Sequence, residues 1–350
     1  MSRRPASLGD LGERAILADV LAPRYRDVTG FGDDCAVLGL PTGAGELVAT
    51  TDSCPAPLVA QLGDIDPYHA GWLLVTINLS DLAAAGASPL GLVVNYTLPA
   101  DTPVADFRRL LAGVDDCAAE HQTRVVGGDL RDGPTQLSAT AVGQCAQGCR
   151  LGRRGAAVGD QLLLVGSPGY LWAEALLAEG RVTLPPDDAA LLAKRARRPK
   201  AQLVAGRLLA EAGFGRAAMD VSDGLFASVR ALCEVNGVGA RMTGDVRLDP
   251  VPAAVCRQAG VRPFDLAATW GDWCLLVAVR PRDVEMAQAK LAANSCTSQV
   301  VGELVADNEI MLDTVPWQGM AQERFSTRSW HGGDLAGWLA AMLPTDSGRR

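Results

Sequence analysis

The stretch that decides the fold is GFGDDCAVL at residues 30–38, where two glycines and two adjacent aspartates precede an apolar run. The apolar run predicts a β-strand, and neighbouring side chains on a strand point to opposite faces, so only one of Asp33 and Asp34 naturally joins a given site. The glycines allow a phosphate or a metal ion to approach the backbone. Because a Gly-Asp-Asp string alone is more often a solvent-exposed turn, its meaning depends on the rest of the chain.

Further carboxylates recur where an apolar segment meets small or hydroxylated residues. The carboxylates are Asp52, Asp81, Asp129, Asp220 and Asp223. The small or polar residues beside them include Thr50, Thr51, Asn78, Gly128 and Ser222. Asn78 and Asp81 are three residues apart in a predicted helix and therefore share one face. Ser222 and Asp223 fall in the first turn of another predicted helix, whose N-terminal amide groups attract phosphate. Carboxylates repel a phosphate unless a cation lies between them, so the set predicts a polyphosphate site that uses magnesium.

The composition is that of an ordinary globular protein with more than one core. The chain has 350 residues, of which 48% are hydrophobic and 21% charged, and its formal net charge is −8. This length favours two domains. The acidic balance argues against a nucleic-acid partner or an anionic membrane surface. The basic cluster at residues 194–200 is interpreted as a solvated helix end and linker.

The sequence also bears on location and on several enzyme classes. The N-terminal residues have no apolar signal region, and no apolar run is long enough to cross a bilayer, so a cytoplasmic location is expected. The nine cysteines have no metal-finger spacing and are expected to be reduced and mostly buried. A phosphate-binding G-x-x-x-x-G-K-[ST] loop, a G-x-S-x-G elbow and an H-E-x-x-H motif are all absent. Serine hydrolases and zinc enzymes are therefore disfavoured.

Hydrophobic periodicity predicts alternating strands and helices in two halves. The first half is predicted to contain a helix at 7–22, a strand ending at Asp52, a helix capped by Asp66, a strand at 90–99, a helix from Thr102 to about His121, and two strands, the first ending in a glycine turn at 127–128. The second half is predicted to contain helices at about 170–180, 187–195, 200–213, 222–235 and 281–293, and strands at 161–166, 217–220, 273–279, 298–304 and 309–313. The fold class is α/β (α+β), with domains at 1–148 and 149–325 and a tail at 326–350 that includes a possible amphipathic helix at 333–343.

Six motifs give the chain a resemblance to a known family. In order, they are GFGDDCAVL, VATTD, NLSDLAAAGASP, GGDLRDGP, GRRGAAVGD and AMDVSDGL. Through them, residues 8–325 resemble thiamine-monophosphate kinase, in the superfamily of aminoimidazole ribonucleotide synthetase, selenophosphate synthetase and a hydrogenase maturation factor. The resemblance implies a two-domain aminoimidazole ribonucleotide synthetase-like fold. It further implies an N-terminal sheet domain that dimerises, a C-terminal α/β domain, and ATP with several Mg²⁺ ions in the cleft between them.

The resemblance also implies roles for individual residues. Metal-binding positions are Asp34, Thr50, Thr51, Asp52, Asp81, Asp129, Asp220 and Asp223. Nucleotide-contacting positions are Gly128, Asp129, Arg153 and Ser222. Catalysis is expected to depend on Asp34, Asp81, Asp220 and Arg153, and the planar donor fork of an arginine suits a phosphate. Substrate positions are Val59, Gly271, Asp272 and Trp317.

The departures from the family pattern fall on the acceptor side. Val59 stands at about the position of a substrate-contacting histidine, and Gly271 replaces a substrate-contacting glutamate. We therefore expect an ATP- and magnesium-dependent phosphotransferase, a homodimer, that acts on a small-molecule acceptor other than thiamine monophosphate. The alternatives are a genuine thiamine-monophosphate kinase that makes thiamine diphosphate, a synthetase or dehydratase of the same superfamily, and a non-catalytic nucleotide-binding regulator. Retained carboxylates argue against the regulator, because crowded carboxylates without a task are destabilising.

Overall fold

A computed structural model gives the architecture and describes residues 18, 33, 35–38, 45–55, 60, 62–63 and 66–317. Two predicted site residues lie outside the described residues, namely Asp34 and Val59. The predicted helices at 7–22 and 333–343 also lie outside them, except for residue 18 of the first helix.

Among the described residues, the first sheet has five strands in the order β1-β2-β5-β3-β4. Its elements are β1 (Ala36–Leu38), β2 (Glu46–Ser53), α1 (Pro67–Ala84), β3 (Ser88–Leu98), α2 (Val104–Glu120), β4 (Val125–Asp132) and β5 (Gln136–Cys145). β3 and β4 pair in parallel, whereas the other pairs are antiparallel. Buried and partly exposed side chains alternate along most of β5, as expected for a strand with one face on the core. α1 packs on β2 and β5, and α2 packs on α1.

The second sheet, as far as the structure describes the chain, has seven strands in the order β12-β11-β8-β10-β6-β9-β7. Its strands are β6 (Gln161–Val165), β7 (Gly215–Asp220), β8 (Gly239–Met242), β9 (Leu275–Val279), β10 (Ser298–Val305), β11 (Ile310–Leu312) and β12 (Val315–Pro316). Its helices are α3 (Tyr170–Ala178), α4 (Pro186–Arg197), α5 (Leu203–Glu211), α6 (Leu225–Asn236), α7 (Pro250–Ala259), α8 (Pro263–Ala267) and α9 (Val284–Ala292). Leu162 and Leu164 belong to one buried cluster and Leu163 and Val165 to another. The sheet is therefore covered on both faces, which explains the continuous apolar run of β6.

α1 joins the two sheets because it is buried on nearly every side. Its N-terminus follows the prediction: Asp66 accepts a hydrogen bond from the Tyr68 amide at 3.0 Å, and Pro67 is the first helical residue. On one side the helix packs on the first sheet, and on the other it contacts α5 and β7 of the second. Ala84 at its end shares a buried cluster with Ala218 of β7.

The basic cluster at 194–200 is a helix end, as interpreted, because α4 ends at Arg197 with Lys194 and Arg195 in its last turn. The interpretation of the residues that follow as a solvated linker is wrong. The carbonyl oxygen of Pro199 accepts hydrogen bonds from Trp72 Nε1 at 2.8 Å and from Thr76 Oγ1 at 3.0 Å. The guanidinium of Arg198 lies 4.7 Å from the centre of the Tyr68 ring, a distance typical of cation–π contacts. The end of α4 therefore attaches the second domain to α1.

Two predicted turns are also corrected. β4 continues through Gly127 and Gly128 to Asp132, because it pairs with β3 along this whole length. α6 begins at Leu225, so Ser222 and Asp223 lie in the bend before the helix instead of in its first turn. The cause is Gly224, whose φ of +96° and ψ of 155° interrupt the helix.

A strand and two helices of the second domain were not predicted from the sequence, whereas the prediction for the cysteines is confirmed. β8, α7 and α8 were not predicted, although Asp249 before α7, Pro250 at its first position and Gly260 after it are ordinary start and stop signals. The cysteine prediction is confirmed, since none of the nine forms a disulfide and six are buried. None of the helices in the described ranges has the length and the apolar character needed to cross a bilayer.

The contact between Thr76 and Pro199 yields a stability prediction. Thr76 is fully buried, and its single hydroxyl proton lies within reach of the Pro199 carbonyl at 3.0 Å and of the Trp72 carbonyl of α1 at 3.1 Å. Thr76→Val should remove this hydrogen bond with little change in volume and lower the free energy of unfolding by about 1 kcal/mol. Urea denaturation measures this change. The control is Thr102→Val, a partly exposed residue before α2, which should change the free energy by less than about 0.5 kcal/mol. Equal stability of Thr76→Val and the wild type would show that this contact does not hold the domains together.

Candidate functional site

The first group of predicted site residues converges where β2 meets α1. Thr50 Oγ1 donates a hydrogen bond to Asp81 Oδ2 at 2.5 Å. The amide of Asp52 donates to Asn78 Oδ1 at 3.1 Å, and Asn78 Nδ2 donates to the Leu74 carbonyl at 2.9 Å. The helix spacing that places Asn78 and Asp81 on one face therefore aims both at the Thr-Thr-Asp strand.

Thr51 differs from its neighbours because alternate side chains of β2 point to opposite faces. Its hydroxyl donates to the Ala139 carbonyl at 2.9 Å and accepts from Thr140 Oγ1 at 3.1 Å, both on β5. The side chain of Thr51 thus lies against β5 and does not join the pair of Thr50 and Asp81.

The second group lies at the end of β7. Asp220 is buried, with 4% of its surface exposed. Its Oδ1 accepts a hydrogen bond from Ser222 Oγ at 3.1 Å, and its carbonyl accepts one from Ser228 Oγ at 3.0 Å. Asp223 follows in the bend before α6. Because α1 packs on β7, the helix that carries Asp81 contacts the strand that ends at Asp220.

Gly128 and Asp129 lie in the exposed edge strand β4. A side chain at position 128 would collide with the Val94 carbonyl oxygen of β3, so the close approach of the two strands requires glycine here. Asp129 lies opposite Asn95 in the parallel register.

Arg153 lies in the connection between the two sheets, and its backbone is held by Asp33. Asp33 Oδ1 accepts a hydrogen bond from the Arg153 amide at 2.9 Å, and Oδ2 accepts one from Arg150 Nη1 at 3.1 Å. Arg150 Nε also donates to Glu46 Oε2 at 2.9 Å. Of the two adjacent aspartates, the family resemblance implied a role for Asp34, and the role of Asp33 was not predicted. The available signal was strand alternation, which gives the two aspartates different neighbours, together with the arginines of GRRG.

The predicted substrate positions make contacts inside the second domain. Asp272 accepts hydrogen bonds from the amides of Gly169 at 2.6 Å and Leu171 at 3.1 Å, so it caps the start of α3. Burial raises the pKa of Asp272 to about 6, although these amide donors oppose the rise. Trp317 packs edge-to-face on Phe226 and Phe264, with ring centres 5.0 and 5.2 Å apart.

Gly271 adopts a left-handed backbone with φ of +100°. A Cβ atom built on Gly271 would collide with Cδ2 of Leu171. Leu171 therefore fills the space that a side chain at position 271 would enter.

The donor set fits a magnesium ion that also binds phosphate. Within the described ranges, no three or more histidine, cysteine, aspartate or glutamate side chains form a group that could hold a metal by themselves. The donors of the two groups are hard oxygen atoms from Asp52, Asn78, Asp81 and Asp220. Mg²⁺ typically takes one or two protein carboxylates and completes its octahedron with water and substrate phosphates. Small, separate carboxylate groups therefore suit Mg²⁺ that also takes water and substrate phosphates better than they suit a metal enclosed by protein.

Family models match most of the chain. Residues 32–145 match the N-terminal domain of AIR synthase related proteins, and residues 157–313 match the C-terminal domain. The thiamine-monophosphate kinase of Synechococcus elongatus is 31% identical over 324 residues, which cover 87% of this chain and 92% of the relative. The enzyme of the same name from Escherichia coli K12 is 33% identical over 232 residues, which cover 65% and 68%.

Solved structures share the fold. The structure of AaThiL complexed with AMPPCP and TMP superposes with a TM-score of 0.78 at 23% identity and covers 92% of this chain and all of its own. HypE from Escherichia coli, a hydrogenase maturation protein, superposes with a TM-score of 0.62 at 19% identity and covers 82% of this chain and 86% of its own. These similarities confirm the two-domain α/β architecture implied by the sequence motifs. The chain belongs to the thiamine-monophosphate kinase family of the AIR synthase related proteins, a family of phosphotransferases that use ATP and Mg²⁺.

Proposed function

We propose that this protein transfers the γ-phosphoryl group of magnesium-bound ATP to a small-molecule acceptor. The observation that carries the proposal is the convergence of Thr50, Asp52, Asn78 and Asp81 on one face of α1, the helix that also packs on the strand ending at Asp220. Oxygen donors of the first and of the second domain then lie on either side of the boundary between the domains. This arrangement suits a polyphosphate that bridges the two domains.

Each residue type has a definite task in this proposal. The residues whose side chains would hold Mg²⁺ are Asp34, Thr50, Asp52, Asp81, Asp129, Asp220 and Asp223. Thr51, whose side chain lies against β5, would contribute only its backbone oxygen. The residues that would contact the nucleotide are Gly128, Asp129, Arg153 and Ser222. The magnesium ions supply charge neutralisation for the phosphates when bound. The hydrogen bond from Thr50 orients the Asp81 carboxylate, and the bond from Ser222 orients that of Asp220.

The chain needs no covalent intermediate for this chemistry. In-line attack by the acceptor oxygen on the γ-phosphorus forms one P–O bond while the bond to the β-phosphate oxygen breaks, and ADP leaves. Preorganised positive groups stabilise the charge on the equatorial oxygens. Arg153 would supply such a group, since a guanidinium stays charged at every physiological pH.

The acceptor we propose is one other than thiamine monophosphate. Support comes from position 271, where the family resemblance implies a substrate-contacting glutamate and this chain has glycine with Leu171 packed into the vacated space. Val59, at about the position of the substrate-contacting histidine, is a second apolar replacement. Losing polar groups that recognise polar substrate atoms should cost several kcal/mol of discrimination, roughly a factor of 10³ or more.

Thiamine monophosphate itself is the second candidate acceptor. It is favoured by the relatives, because the two curated relatives described above are named thiamine-monophosphate kinases and one solved relative contains TMP. A non-catalytic regulator is the least favoured alternative, since the chain retains the carboxylates of the family's metal positions, and carboxylates crowded together without a task are destabilising.

We also propose that the protein is a homodimer, which forms through the first sheet. Four of its large apolar side chains are strongly exposed on β3 and β4: Leu90, Val93, Val126 and Leu130, at 50%, 44%, 57% and 60%. β4 is also an edge strand. Exposed edges and contiguous apolar residues are the features that a partner surface covers.

The cytoplasmic location of the protein stays an expectation.

The acceptor proposal predicts poor turnover of thiamine monophosphate. ADP release should be measured with Mg²⁺, ATP and either thiamine monophosphate or a panel of sugar, nucleoside and amino-acid derived acceptors, with the Escherichia coli relative as assay control. We expect kcat/KM for thiamine monophosphate to lie below about 10⁴ M⁻¹ s⁻¹ and at least one panel member to exceed it. A value for thiamine monophosphate above that level would restore the second candidate.

The dimer proposal predicts that charges on the exposed strands weaken self-association. The double variant Val93→Asp and Val126→Asp should raise the dimer dissociation constant at least about tenfold, equivalent to about 1.4 kcal/mol. Sedimentation velocity over a dilution series measures it. The matched control is Met286→Asp, which replaces a 54% exposed side chain on α9 and should leave association unchanged. A monomeric wild type would refute the dimer.

A further inference from the structure

Asp33 occupies a central place in the connection between the two domains. It lies just before β1, next in sequence to Asp34, and its carboxylate has two partners in the connection that leads from β5 to β6. One oxygen accepts the Arg153 amide at 2.9 Å and the other accepts Arg150 Nη1 at 3.1 Å. Only 17% of the Asp33 side chain is exposed, so water screens these bonds poorly.

The segment held by Asp33 is bonded to the elements that carry both groups of site residues. The amide of Leu151 donates to the Ala85 carbonyl at the end of α1, at 3.0 Å, and the amide of Ala218 in β7 donates to the Gly152 carbonyl at 2.9 Å. α1 carries Asp81, and β7 ends at Asp220. Residues 150–153 therefore connect to the first group, to the second group and, through Asp33, to the strand that begins the chain's first sheet.

The packing around Asp33 leaves no room for a side chain at position 152 of the connection. A Cβ atom on Gly152 would lie 2.7 Å from Asp33 Oδ2 and 2.9 Å from its Cγ, well inside van der Waals contact. Glycine at 152 thus permits the carboxylate to reach two donors at once. Any larger residue would push the carboxylate away from the Arg153 amide.

We infer that Asp33 is a positioning residue for the nucleotide site: it sets the backbone of Arg153, and thereby the guanidinium, relative to the carboxylates of both domains. This inference rests on the proposed role of Arg153 in binding ATP. Asp33 itself needs no contact with nucleotide or metal. Because the carboxylate is bonded to the backbone amide of Arg153, the same contact would operate whatever acceptor the enzyme uses.

The test is calorimetric titration with AMPPCP and Mg²⁺, which reports affinity and the fraction of competent molecules separately. Asp33→Ala removes both hydrogen bonds and should weaken binding by roughly tenfold or more. Asp33→Asn keeps an oxygen that can accept from the Arg153 amide, so it should recover part of the affinity. Gly152→Ala keeps the charge but displaces the carboxylate, and should resemble Asp33→Ala.

Two comparisons separate positioning from a general loss of structure. A positioning defect raises the dissociation constant while the stoichiometry stays at the wild-type value, whereas misfolding lowers the stoichiometry and leaves the affinity of the remaining molecules unchanged. Glu46→Gln is the matched control: Glu46 bonds the same Arg150, but 42% of its side chain is exposed. This variant should bind as the wild type does.

The outcomes distinguish this inference from the proposed function. If the wild type binds magnesium–AMPPCP and Asp33→Ala and Gly152→Ala bind equally well, or lose only stoichiometry, the positioning role is overturned and the proposed function stands. If the wild type binds no magnesium–AMPPCP, the proposed function is overturned and the inference with it. Weakened binding at unchanged stoichiometry in both variants, with Glu46→Gln unaffected, supports the inference.

Discussion

The structure depends on α1 being buried between two sheets at once. A helix in this position has no solvent-exposed stripe, so even its polar residues must find partners inside the protein. Thr76 meets the Pro199 carbonyl of the second domain, whereas Asn78 and Asp81 meet β2 of the first. The helix therefore sets the relative position of the domains and also places a carboxylate at the boundary between them. Stability and function depend on the same element, and a change in the helix register would disturb both.

Electrostatics explains why the site is divided between two domains. One enclosed pocket lined with all the predicted carboxylates would suffer strong mutual repulsion before any metal arrived. Here the carboxylates are divided into small groups, and each has hydroxyl or amide donors: Thr50 for Asp81 and Ser222 for Asp220. Hydrogen bonds to the charged form reduce the cost of burying it. Nucleotide phosphates and Mg²⁺ would then complete the charge balance between the groups.

The sequence predicted most of the architecture because the periodic signals were strong. Asp66 and Pro67 mark the start of α1, and the apolar runs of β3, β6 and β9 are unmistakable strands. The predictions failed where the deciding contact is distant in sequence. Gly128 stays in a strand because β3 pairs with it, Arg198 lies over aromatic rings of α1, and Asp33 meets arginines more than a hundred residues away. No local pattern contains those partners. At position 271 the sequence identified the missing side chain, but only the structure reveals that Leu171 fills its place.

The central claim is that carboxylates from both domains bind the nucleotide through magnesium. The most direct measurement is the affinity for AMPPCP with Mg²⁺ and with excess chelator, for the wild type, for Asp81→Asn, and for Asp101→Asn as an exposed surface control. The account predicts binding in Mg²⁺ that chelation abolishes, at least about tenfold weaker binding by Asp81→Asn, and no change for Asp101→Asn. Equal affinity with and without chelator would contradict the account.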